Sequence, residues 1–268
     1  MPKKNYLPNI DQLSLLSVVI LLAYLLLGII ILPSRGDSTQ SLWGIFGSSV
    51  DPNFLYGLIV AGLTAAGTNW LVRGHPLFRD TFSIQHWLLP ALSSWIIGLI
   101  LFQQPINTIW WLIISIGVPI LILIIIAEFV IVDPEGDYHS IAAISLTAIS
   151  YALFLTLAII IKGINFKSTV IIPTMAIASG LTSLRTLHLQ WENWYFAYAL
   201  IIAIIVGELS SPLYFFDFDP VVFGLLLLGF TYAITSLVSG LLRNRPVRQI
   251  ILEPIIVLLI VWGIAILL

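Results

Sequence analysis

Only 9% of this chain is charged, so every ionisable side chain set among apolar residues raises a question about chemistry. Glu208 follows the apolar run Ala203-Ile204-Ile205-Val206 and precedes Ser210, Ser211 and Pro212. A carboxylate at membrane depth is costly and usually faces a bundle interior or water. Glu208 is therefore a candidate proton or cation site, and Glu128 is a second. The simpler reading makes both of them interfacial: Glu208 reaches water or Lys162, and Glu128 lies a turn from a hydrated loop. Glu253 follows Arg243, Arg245 and Arg248 and is expected to pair with arginines.

The four histidines, His75, His86, His139 and His188, fall in or beside segments expected on one face of a membrane. Arg73, Arg79, Asp80, Asp133, Glu135, Asp137, Arg185 and Glu192 share that face. Histidine with carboxylate supports acid–base work or metal binding, and arginine grips phosphate through paired hydrogen bonds. A catalytic set for lipid headgroups would be His139, Asp137, His188 and Arg185. Against it, loops of separate hairpins need not meet, and interfacial residues of these types are ordinary.

Other chemistry is excluded more firmly. The chain has no cysteine, which removes disulfides, thiolate catalysis, Cys-ligated zinc and iron–sulfur clusters. A net charge of −2 offers no basic surface for nucleic acid. Phosphate-binding glycine loops, a His-Glu-x-x-His helix and a Gly-x-Ser-x-Gly elbow are missing. The stretch Asp133-Pro134-Glu135-Gly136-Asp137 superficially suggests a calcium loop. Its sixth position is Tyr138 where glycine is needed, and its twelfth is Ile144 where glutamate is needed. It reads as a capped, solvated turn. Neither a metal nor a cofactor is expected.

The elements that must position these groups are membrane helices. Hydrophobic residues make up 59% of the 268, where a soluble domain carries about 25% charged residues to cover its surface. A span needs roughly 20 apolar residues. Nine are expected, at about 12–33, 53–72, 87–103, 107–130, 139–162, 168–187, 194–210, 220–241 and 249–268. The fold class is thus an all-α, polytopic membrane bundle forming one transmembrane domain over 1–268, with short loops and no soluble domain. Spans three and four are joined tightly through Gln103-Gln104-Pro105, and merging them gives eight. The run after Lys3 and Lys4 is longer than a signal segment and lacks a small-x-small cleavage site, so it reads as the first span.

Local signals mark the ends. Asp51-Pro52, Asp133-Pro134 and Asp219-Pro220 each set an acidic cap before a proline. Trp43, Trp70, Trp87, Trp110, Trp111, Trp191 and Trp194 fall near span ends, as interfacial aromatics do. Small residues recur as Gly57/Ala61/Ala65 and Gly62/Ala66 in span two, and as Ala176, Ser179, Gly180 and Ser183 in span six, which allows close helix approach. Pro173, Pro212 and Pro254 lie in or beside spans. Lys3, Lys4, Arg73, Arg79, Arg185, Arg243, Arg245 and Arg248 fall on one side, against Arg35, Lys162 and Lys167 on the other. The positive-inside rule then puts the N-terminus in the cytoplasm and, with nine spans, the C-terminus outside.

The leading expectation is a non-enzymatic protein of a bacterial inner membrane. It would act as an accessory component beside a membrane protein partner, or bind a lipid-like or small molecule. A secondary transporter using Glu208 or Glu128 is one alternative, and a headgroup enzyme is the other.

Overall fold

A computed structural model describes residues 7–31, 52–78, 84–163, 168–191, 193–243 and 247–267. Among these the chain forms nine α-helices and no strand. They are α1 (Ile10–Ile31), α2 (Pro52–Arg73), α3 (Ile84–Gln103), α4 (Thr108–Val130), α5 (His139–Gly163), α6 (Ser168–Trp191), α7 (Phe196–Phe215), α8 (Pro220–Leu242) and α9 (Val247–Leu267). Lys3, Lys4, Arg35, Trp43, Asp51, Arg79, Asp80, Lys167, Glu192 and Arg245 lie outside the described residues.

Five of these helices are long and apolar enough to cross a membrane: α3, over Ile84–Leu101, and the whole of α4, α5, α7 and α8. Two shorter apolar stretches, Ile10–Leu26 and Ile250–Ala265, lie in α1 and α9. The all-helical architecture fits a membrane bundle. Its outer faces carry large exposed apolar side chains such as Leu123, Ile144, Leu200 and Leu259, which lipid solvates at no cost.

Three boundaries differ from expectation. Helix α3 starts at Ile84, which takes His86 into its first turn. Helix α6 runs on to Trp191 and α7 to Phe215, beyond the polar residues that suggested earlier ends. In lipid a helix continues because every backbone N–H and C=O must be satisfied within the chain. Pro212 is accommodated inside α7, as are Pro90, Pro119, Pro173 and Pro254 inside their own helices.

Two compact units divide the chain, residues 1–146 and 147–268. In the first, α2 packs chiefly on α3, α3 on α4, and α1 on α2. Leu16, Ile20, Tyr24, Leu71, Trp110, Leu121, Ile125 and Phe129 share one core, and the Tyr24 hydroxyl donates to the Ser94 carbonyl at 2.8 Å. Trp110 is thus a core residue, whereas Trp111 is exposed. A Cβ at Gly57 would stand 2.8 Å from the Trp95 ring, and one at Gly67 would clash with Leu16. Among the described residues nothing lies within 4 Å of a Cβ at Gly62, so there the Gly62/Ala66 face is open.

In the second unit α6 packs chiefly on α7, α9 on α8, and α8 on both α6 and α7. The α6–α7 seam is built from small residues on both sides. A Cβ at Gly180 would lie 2.9 Å from Ala203 Cβ, and one at Gly207 would lie 2.8 Å from Ala176 Cβ. Helix α8 starts as its sequence implies: Asp219 accepts from the Val221 N–H at 2.9 Å and Pro220 takes the first helical position. Asp133 departs from that pattern. Its Oδ1 accepts from the Glu135 N–H at 3.1 Å and its carbonyl from Gly136. It caps the expected solvated turn, and α5 begins only at His139.

Candidate functional site

A cleft of about 140 Å³ opens in the second unit. Helix α8 lines it with Tyr232, the adjacent Thr235 and Ser236, Ser239, Gly240 and Arg243, a pattern that recurs every three or four residues and so keeps to one face. Thr147 and Tyr151 of α5, Thr186 and Gln190 of α6, and Ile250 and Glu253 of α9 complete the lining. A polar cleft among apolar helices is a costly arrangement unless its groups are paired or meet a ligand or water.

The hydroxyls are ordered by their own hydrogen bonds. Thr235 Oγ1 donates to the Thr231 carbonyl at 2.7 Å, so the 2.9 Å bond to Ser183 Oγ has Ser183 as donor. Ser239 Oγ donates to Gln190 Oε1, which leaves the Gln190 amide N–H groups as donors. The Tyr151 hydroxyl lies beside Thr235 and Thr186, and its ring meets Tyr232 edge-on at 5.6 Å. Thr186 is 2% exposed, and its Oγ1 makes no well-formed hydrogen bond among the described residues. The Arg243 guanidinium lies 5.6 Å from the Trp191 ring centroid.

Arg243 and Glu253 form no ion pair among the described residues, although both line this cleft. Of the arginines expected to pair with Glu253, Arg243 is thus not its partner, and Arg245 lies outside the described residues. Arg243 is the C-cap of α8 and stacks on Trp191 instead.

The first unit holds a second constellation. Glu128, 0% exposed, receives His86 Nδ1 at 3.2 Å, and Gln85 Nε2 lies 2.9 Å from His86 Nε2. An amide N–H donating to Nε2 makes Nδ1 the protonated nitrogen, which donates to the carboxylate. His75 is buried nearby with its ring edge against Phe129 at 4.7 Å. Its Nδ1 accepts from the Leu77 N–H at 3.1 Å, so its own proton sits on Nε2. Burial holds the His75 imidazole below its ordinary pKa. Asp133 opposes this and His86 adds to it. Among the described residues no three His, Asp or Glu groups are arranged to hold a metal.

The remaining candidates are placed as follows. Glu128 is buried near the end of α4, where it accepts from the neutral His86. Glu208 is exposed on α7, on the face that carries Leu200, Ile201, Ile204 and Ile205. Lys162 is not its partner: the ammonium donates to the Tyr214 and Phe216 carbonyls at 2.8 and 3.1 Å, satisfying the unpaired end of α7. Asp137 is exposed in the turn before α5, and His139 opens that helix with its Nδ1 buried and unbonded among the described residues. Arg185, 2% exposed, and His188, stacked on Trp194 at 4.6 Å, lie in the last two turns of α6. Asp137 and His139 belong to the first unit, Arg185 and His188 to the second.

The cleft residues are uncharged, apart from its two rim charges, and a search among ionisable groups passes over them. A usable signal was present: Tyr232, Thr235, Ser236, Ser239 and Arg243 form a polar stripe of helical period inside an apolar span.

Residues 40–268 match the family described as a protein of unknown function (DUF5656), and the chain belongs to that family. Nothing among curated proteins or among solved structures matches it.

Proposed function

We propose that this member of the DUF5656 family is a multi-pass protein of a bacterial inner membrane that binds a lipid-like or small polar molecule in the cleft of its second unit. The polar cleft, set in helices that are otherwise apolar, carries this reading. Ligand sites are typically concave, with a few convergent polar groups that fix orientation. The proposed topology has nine crossings with the N-terminus in the cytoplasm. Native mass spectrometry on gently extracted protein tests the reading. Wild type is expected to retain one small molecule or lipid, and Ser236→Trp, which fills the cleft, to lose it at unchanged helical content. Retention by the variant, or a bare wild-type chain, refutes it.

The His86–Glu128 pair favours a second reading, a proton-coupled transporter with Glu128 as the coupling carboxylate. Buried ionisable pairs inside membrane bundles mark proton relays. Proteoliposomes loaded with a pH-sensitive dye and driven by an imposed potential would acidify with wild type and not with Glu128→Gln. Equal rates in the two proteins, or no flux in wild type, would remove this reading and leave the binder.

A further inference from the structure

We propose that the cleft of the second unit takes a zwitterion, a phosphate joined through a short chain to a primary ammonium. This rests on the cleft being a binding site, as above, and adds the chemistry of its occupant.

The argument starts from the two charges. Arg243 and Glu253 line one cleft and form no ion pair among the described residues. A lone phosphate would satisfy Arg243 and leave Glu253 facing a like charge. A lone cation would do the reverse. A neutral sugar would use the hydroxyls and engage neither charge, both of which are exposed at the rim of the cleft. A ligand carrying one charge of each sign, separated by a short chain, uses the whole lining.

The neighbouring groups are of the matching kinds at each end. Near Arg243 lies a second donor, Gln190, whose Oε1 is taken by Ser239, leaving its amide N–H groups to donate. Trp191 supports the guanidinium from the side. Charge-assisted bonds of this type are the strong ones for phosphate. Near Glu253 the acceptors gather. Tyr232 is close enough to feel the carboxylate electrostatically and offers an aromatic face to an ammonium. Pro254 has no N–H, so the Ile250 carbonyl four residues earlier lacks its helical donor.

Phosphatidylethanolamine carries this zwitterion in the membrane, and phosphoethanolamine carries it free. The experiment is native mass spectrometry of the full chain in detergent. Phosphatidylethanolamine, phosphatidylglycerol and a glucosyl diacylglycerol compete at equal concentration, and soluble phosphoethanolamine is then added as a competitor. Wild type is expected to retain phosphatidylethanolamine about tenfold over the other two lipids. Arg243→Gln should lower that retention about tenfold. Glu253→Gln should retain phosphatidylethanolamine and phosphatidylglycerol alike. Displacement by phosphoethanolamine identifies the free zwitterion as sufficient, and no displacement identifies the lipid as the source; both uphold the chemistry. Equal or better retention of phosphatidylglycerol or the glycolipid by wild type overturns the zwitterion while leaving a binding cleft. Retention that Ser236→Trp does not reduce overturns both readings. Far-ultraviolet circular dichroism on each variant separates lost binding from lost fold.

Discussion

Glu128 has no exposed surface, and its carboxylate accepts from His86 Nδ1. A hydrogen bond to a charged group is worth about 1.5–3 kcal/mol. His86→Leu is therefore expected to lower stability by about 1.5–3 kcal/mol, and His86→Leu with Glu128→Leu to cost less than the sum of the two single changes. Thermal denaturation in detergent, run as a double-mutant cycle, reads the coupling, and strict additivity would show that the pair is not coupled. His75, outside the spans, gives a pH dependence. Its folded pKa lies below the ordinary value of about 6.5. Between the two values the unfolded chain binds the extra proton, so stability rises with pH there. The contribution is complete above about pH 6.5 and declines as pH falls toward the folded value. Protonating Nδ1 also removes the acceptor for Leu77 N–H. Thermal stability should fall on acidification through this window, and His75→Gln should flatten the profile.

At the scale of helices, the α6–α7 seam and the open face of α2 separate two uses of glycine. The Cβ of Gly207→Ala would meet Ala176 Cβ at 2.8 Å, and an alanine methyl cannot swing aside. Overpacking of this kind costs about 1–3 kcal/mol. Gly62→Ala meets nothing within 4 Å and should be neutral or stabilising by up to about 1 kcal/mol through helix propensity. Melting temperatures of the two variants in one detergent check the contrast, and a similar loss in both would discount the close approach. The small-residue pattern of α6 was readable in the sequence; its partner face, Ala203 and Gly207, was not, because spacing on one helix does not say which helix it meets. In α2 the same pattern pointed to a face, Gly62/Ala66, that is open among the described residues.

For the whole molecule the testable quantity is topology. A chain without cysteine reports cleanly on single introduced thiols. With the proposed orientation, Glu135→Cys in the turn before α5 is reached by an impermeant maleimide only from the cytoplasmic side. Ile106→Cys in the turn before α4 is reached only from outside. Labelling of intact cells against inverted vesicles decides between this topology and its inverse. Among the described residues nine helices stand where nine hydrophobic runs predict them, five of them long and apolar enough to cross a membrane.

Hydrophobic runs alone determined the helices, their approximate ends and the scarcity of charge, because hydropathy and backbone satisfaction are local constraints on consecutive residues. Asp219 at the start of α8 was legible for the same reason: a cap acts within three residues. Tertiary structure decided which polar groups meet. His86 and Glu128 are 42 positions apart, and their pairing follows from how α3 packs on α4. The cleft draws on four helices, and its hydroxyl lining carries no charge to mark it. Hydrogen-bonded networks between helices depend on register and rotation about each axis, and neither is written in the composition of any one segment.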